Sequence, residues 1–141
     1  MRWLLFAMLT VVTAVPVWGQ TVNCTTTPRE SKHVAGPHGL EGWTLDSSIP
    51  DSPYGNECFS LALVIARNGQ VIRRIKADPI LWNWIFWKDG QQAALLQGPF
   101  HFVMVCTLLD IKSGKTLSTY DCFHKLPTNA PNWVKAVNTM N

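Results

Sequence analysis

The chain has 141 residues, with 12 Lys and Arg against 9 Asp and Glu and a formal net charge of +3. That balance argues against nucleic acid as a partner, since nucleic-acid domains usually carry a strongly basic face. The length allows one domain of ordinary size with a core of its own.

The chain opens with a positive Met1-Arg2, runs uncharged from Trp3 to Val17, and reaches Gly19-Gln20 with Val17 and Gly19 as small residues at the −3 and −1 positions. These three parts predict a secretory signal peptide over 1–19, cut after Gly19. The apolar run is about 15 residues long, short of the ~20 needed to cross a bilayer, so a membrane anchor is not expected. No later stretch is long, apolar and uncharged. The expected location is secreted or periplasmic, with no transmembrane segment in the mature chain.

Residues 20–57 are rich in Thr, Ser, Pro, Gly and Asn, with turn sequences at Gly36-Pro37-His38-Gly39, Ser47-Ser48-Ile49-Pro50 and Asp51-Ser52-Pro53-Tyr54-Gly55. They predict an irregular N-terminal arm with one short strand near Trp43-Thr44-Leu45. Asn23-Cys24-Thr25 is a glycosylation sequon, relevant in a eukaryotic host.

From Cys58 the texture changes. Phe59, Leu61, Leu63 and Ile65 alternate with Ser60 and Ala62 along an extended strand. Asn68-Gly69 then signals a hairpin, because both residues accept positive φ, and 70–76 returns. Arg73-Arg74-Lys76 in that return segment is expected at a sheet edge, where charge discourages strand-to-strand aggregation. Asp78-Pro79 breaks the chain. The pattern recurs as 80–87, the turn Asp89-Gly90, and 91–97. It recurs again, after Gly98-Pro99, as 100–109, the turn Ser113-Gly114, and 115–123. Three hairpins in succession predict an all-β core over 58–126. We expect a six-stranded antiparallel meander, curled into a small barrel or folded as a sandwich. In the tail, 127–141, Pro131 can open a short C-terminal helix with Trp133, Val134 and Val137 on one face.

All four cysteines, Cys24, Cys58, Cys106 and Cys122, lie beyond the signal peptide. An even number in an exported chain predicts two disulfides. Cys106 and Cys122 flank Gly114 symmetrically, which places them opposite each other across a hairpin. That leaves Cys24 for Cys58. No two cysteines form a Cys-x-x-Cys pair, so no metal and no cofactor are expected.

The stretch Trp84-Ile85-Phe86-Trp87-Lys88-Asp89-Gly90-Gln91-Gln92-Ala93-Ala94, followed by Leu108-Leu109-Asp110-Ile111-Lys112-Ser113-Gly114-Lys115, resembles one blade of a WD40-like propeller repeat. The likeness covers residues 80–123 and rests on turn chemistry. It implies hairpin topology and no functional residue.

Chemistry-bearing residues are sparse. On a strand, Trp82, Trp84 and Phe86 would share one face and Asn83, Ile85 and Trp87 the other. Aromatics on both faces predict a central strand buried on both sides, with Trp87 nearest the surface and a candidate platform for a sugar ring. Of the four histidines, His33, His38, His101 and His124, the first two sit in the irregular arm and His101 on a strand. His38 and His101 are carried as candidate ligand-binding residues; a lone histidine is more often a hydrogen-bonded structural one. There is no Gly-x-Ser-x-Gly elbow and no His-Glu-x-x-His helix, and Asp residues sit mainly at turns, where Asp typically initiates the turn. Gly114-Lys115-Thr116 lacks the upstream glycine and the following helix of a phosphate-binding loop. No catalytic residue is assigned. The expected function is a small non-enzymatic binding or interaction module, with another envelope or secreted protein or a glycan as partner. Two alternatives stand beside it: a secreted hydrolase built from scattered Asp and His, and a structural subunit that docks by strand addition.

Overall fold

The computed structural model describes residues 23–100 and 103–138. The expected signal peptide and its cleavage site, and His101, lie outside the described residues.

The described chain is all-β with one short helix. Strands β1 (Arg29–Glu30), β2 (Val34–Ala35), β3 (Leu40–Ser47), β4 (Phe59–Arg67) and β5 (Gln70–Lys76) form a first sheet. Strands β6 (Leu81–Trp87), β7 (Gln92–Gln97), β8 (Val105–Asp110) and β9 (Thr116–Asp121) form a second, and α1 (Asn132–Val137) follows. Both sheets are antiparallel, ordered β1-β3-β4-β5 with β2 also on β3, and β6-β7-β8-β9.

All three expected hairpins form. The six strands are not one continuous ribbon, because β5 and β6 do not pair. Between them the chain passes from sheet to sheet through Ala77–Ile80, with a cis Asp78–Pro79 bond. The result is the sandwich rather than the barrel. An open meander would leave one apolar face in water, and stacking the sheets removes it. The interface is built from Leu63, Ile65 and Ile75 on one side and Leu81, Ala93, Leu95 and Leu109 on the other.

The N-terminal arm is more regular than its composition suggests. β3 runs the eight residues Leu40–Ser47 and pairs along β4. The missing side chain of its Gly42 is what the packing requires. A Cβ there would lie 2.4 Å from the Trp84 indole, so Gly42 lets β6 approach.

β6 is not the central strand. It lies at the edge of the second sheet, and its neighbour β7 takes the centre. Ala93 and Leu95 point from β7 into the sandwich, while Ala94 and Leu96 point the other way, against Trp133, Val134 and Val137 of α1. Small and aliphatic side chains fit between two packed layers, whereas Trp is rarely buried completely. β6 also contains an irregularity between Leu81 and Asn83. The extra residue changes the face, so Trp82 joins Ile85 and Trp87 on the α1 side while Trp84 and Phe86 point inward. α1 buries the three residues of its expected apolar face. Full burial of a Val stabilises by about 1.5–3 kcal/mol, enough for two turns that would not persist alone.

Both disulfides form as expected. Cys24–Cys58 fastens the arm to the start of β4, and Cys106–Cys122 bridges β8 and the end of β9. The second is diagonal rather than directly across, because Cys106 is opposite Tyr120 and the Cys122 N–H donates to Met104 O. Beyond the register shift between Leu108 and Leu109 the ladder is centred on residue 113 and not on Gly114, since Cys106 pairs with Tyr120 and Leu108 with Ser118. Two disulfides are consistent with an oxidising compartment. Among the described residues no helix is long and apolar enough to cross a membrane.

Candidate functional site

The three hairpin turns come together at one end of the sandwich. With the short 3-10 turn Pro37–Gly39 they enclose a groove of about 760 Å³, within the usual range for small-molecule sites.

The turn between β6 and β7 sets one wall. Lys88, Asp89 and Gly90 all have positive φ, at 48°, 55° and 77°. Two of these are not glycine, and left-handed backbone costs such residues about 1 kcal/mol or more each. The arrangement is held because the turn packs down on the core. A Cβ on Gly90 would stand 2.6 Å from Leu40 Cδ1, so only glycine fits there. This seating carries Asp89 to His38, itself at φ 54°, and the His38 Nε2 to Asp89 Oδ2 distance is 2.7 Å. The pair joins the two layers at the groove mouth. Both side chains are well exposed, so it orients more than it stabilises.

The opposite wall is cationic. Arg73, half-buried on β5, donates from Nε to Ile111 O at 3.0 Å and from Nη2 to Lys112 O. Arg67 and Lys112 line the same groove. Asp110 lies beside them, but its Oδ1 accepts from the Ser113 N–H at 2.6 Å and the Ser113 hydroxyl at 2.7 Å. The backbone N–H of Ser113, then its hydroxyl, hold the Asp110 carboxyl below the usual carboxylate range.

Of the two candidate residues that are described, His38 and Trp87, His38 lines the groove. Trp87 is half-buried against the α1 cluster and is not among the groove's lining residues. His33 lies elsewhere, stacked on Trp43 with ring centroids 4.1 Å apart and planes 5° from parallel. Its Nε2 is 3.2 Å from Glu30 and its Nδ1 3.0 Å from Glu41. His124 Nδ1 is 3.1 Å from Asp121. The Phe123 N–H, followed by His124, pulls the Asp121 carboxyl down. Among the described residues no three His, Cys, Asp or Glu side chains are grouped to hold a metal ion.

Arg67, Arg73, Asp89 and Lys112 escape a reading by motif, because three separate turns bring them together. One signal was present. Arg73 has the same strand parity as Ile75, which packs on the core. A cation on the apolar parity is a side chain with something specific to bond. No family model, curated protein or solved structure matches the chain.

Proposed function

We propose that this protein is an exported binding module without catalytic activity, and that its ligand occupies the groove at the turn end. The observation that carries the reading is the make-up of that groove. His38, Asp89, Arg73 and Asp110 are already held by neighbours, and among the described residues the lining contains no Ser, Thr, Cys or Tyr to act as a nucleophile. His38 faces Asp89 rather than a hydroxyl or thiol, so the base–nucleophile pair of a hydrolase has no counterpart. Two carboxylates do line the groove, but Asp110 is pushed down, the reverse of what a general acid in a glycosidase needs. Pre-set polar groups around a concavity are what recognition without chemistry uses.

The test is an NMR titration of the oxidised, secreted protein with neutral and acidic oligosaccharides and extended peptides, each mixture then weighed by mass spectrometry. Reversible shifts at Ile72, Gly90 and Gln91, with every compound recovered intact, are the expected result. Conversion of any compound, or no response in the groove, overturns the reading. A second reading, docking by strand addition, is favoured by β6, an edge strand whose seven residues carry no charge. The same titration detects it as shifts running along Leu81–Trp87 in place of the groove.

A further inference from the structure

We propose that the groove is an oxyanion site, which takes its ligand through a carboxylate or phosphate group. The inference rests on the reading of the protein as a binding module and adds the chemistry of what is bound.

Arg73 carries the argument. Its guanidinium is fixed by two bonds, to Ile111 O and Lys112 O, and both acceptors are uncharged carbonyls. The bonds therefore set the plane of the group, and Asp110, which feels its charge through space, makes no hydrogen bond to it. Arg67 and Lys112 share the groove, and among the described residues neither side chain has a hydrogen bond or an ion pair. Indeed, every ion pair of the described residues involves a histidine, and no described Lys or Arg has a described carboxylate within 4.0 Å.

The two acidic residues on the walls offset these cations only in part: after the bonds from Ser113, Lys112 and Arg73 help to hold the Asp110 carboxyl below the usual carboxylate range, yet three cations face two carboxylates. Asp110 spends its hydrogen bonds on Ser113, and Asp89 faces His38. With three cations against two carboxylates, the concavity keeps a net positive potential. An oxyanion neutralises that excess and can use the Arg73 N–H groups that are not bonded to the two carbonyls. Ile72, 38% exposed at the same wall, offers an apolar surface for whatever carries the anionic group.

The experiment uses the intact, disulfide-bonded protein, with inorganic phosphate and acetate as probes, against chloride at matched ionic strength. Saturable shifts of the Arg73 Nε–H signal and of the Gly90 and Gln91 amides are expected, and the stronger of the two probes identifies the favoured oxyanion. Arg73→Gln also loses the bonds to Ile111 and Lys112, so Arg67→Gln and Lys112→Gln supply the decisive variants. Each is expected to weaken the stronger probe by about tenfold, the usual scale of one charge-assisted hydrogen bond, with thermal unfolding unchanged. Shifts that follow ionic strength alone, or saturable shifts unaltered in both variants, overturn the proposal. If neutral compounds still perturb the groove in that case, the binding-module reading stands while the oxyanion assignment falls. If nothing perturbs it, both fall.

Discussion

His33 shows how much a single exposed ring can depend on its neighbours. It lies flat on Trp43 with a carboxylate at each nitrogen, Glu30 on β1 and Glu41 on β3. Desolvation works against the charged ring, but the hydrogen bonds to Glu30 and Glu41 outweigh it and raise the pKa above 6.5. A cation over an indole adds to the attraction. Because the folded value is the higher one, this contribution is fully present below the unfolded pKa and is lost as pH rises through the folded one. Urea unfolding at about pH 5.5 and about pH 8.5 should therefore show the wild type losing stability across the interval. His33→Gln should flatten that loss; an unchanged difference between the two pH values would remove His33 as its source. None of this was legible in the sequence. Glu30, His33 and Glu41 come together only because the arm folds back along β3.

Elements were more readable where their signals were local. Asn68-Gly69 and Asp89-Gly90 dictate tight reversals through backbone that few other pairs adopt, so the hairpins could be placed from residues alone. α1 was visible for a similar reason, as one proline and three apolar residues on one face. What could not be placed was the partner of each strand. The failure to pair β5 with β6 follows from how the sheets stack, and no residue near 77–80 announces it. β6 was misplaced because aromatic residues on both parities look like a central strand until an irregularity moves one of them. β3 was underestimated because the Thr, Ser, Pro and Gly content of 20–57 reads as irregular chain, while Gly42 within it serves close approach to Trp84. Gly42→Ala should cost about 1–3 kcal/mol, the range for overpacking a filled interior, read as a lower urea midpoint with unchanged slope. Trp84→Phe in the same chain should recover part of the loss. If the two substitutions simply add, the steric account is wrong.

At the scale of the whole molecule, stability rests on two layers and two cross-links. In the chain-entropy account, closing loops of 16 and 34 residues is worth about 3–4 kcal/mol each. Together these approach the whole net stability of a typical domain, about 5–15 kcal/mol. Guanidinium unfolding with and without a thiol reductant should therefore show the reduced protein at or near the unfolded state at room temperature. A reduced form that keeps most of its midpoint would shift the credit to the hydrophobic core. The cysteine count anticipated the cross-links, whereas the groove emerges only when the separately folded turns are stacked end over end.

Cys24 and Cys58 both belong to the first layer, and Cys106 and Cys122 both belong to the second. No sulfur bond crosses between the layers, so the backbone at 77–80 is their one covalent link. Each half is thus clasped within itself and joined to the other by side-chain packing and the reach of Arg73. Two molecules straightened at that link can trade halves without breaking a sulfur bond, and every contact across the layers would be remade between chains. Concentrated, fully oxidised material is where such exchanged dimers would collect.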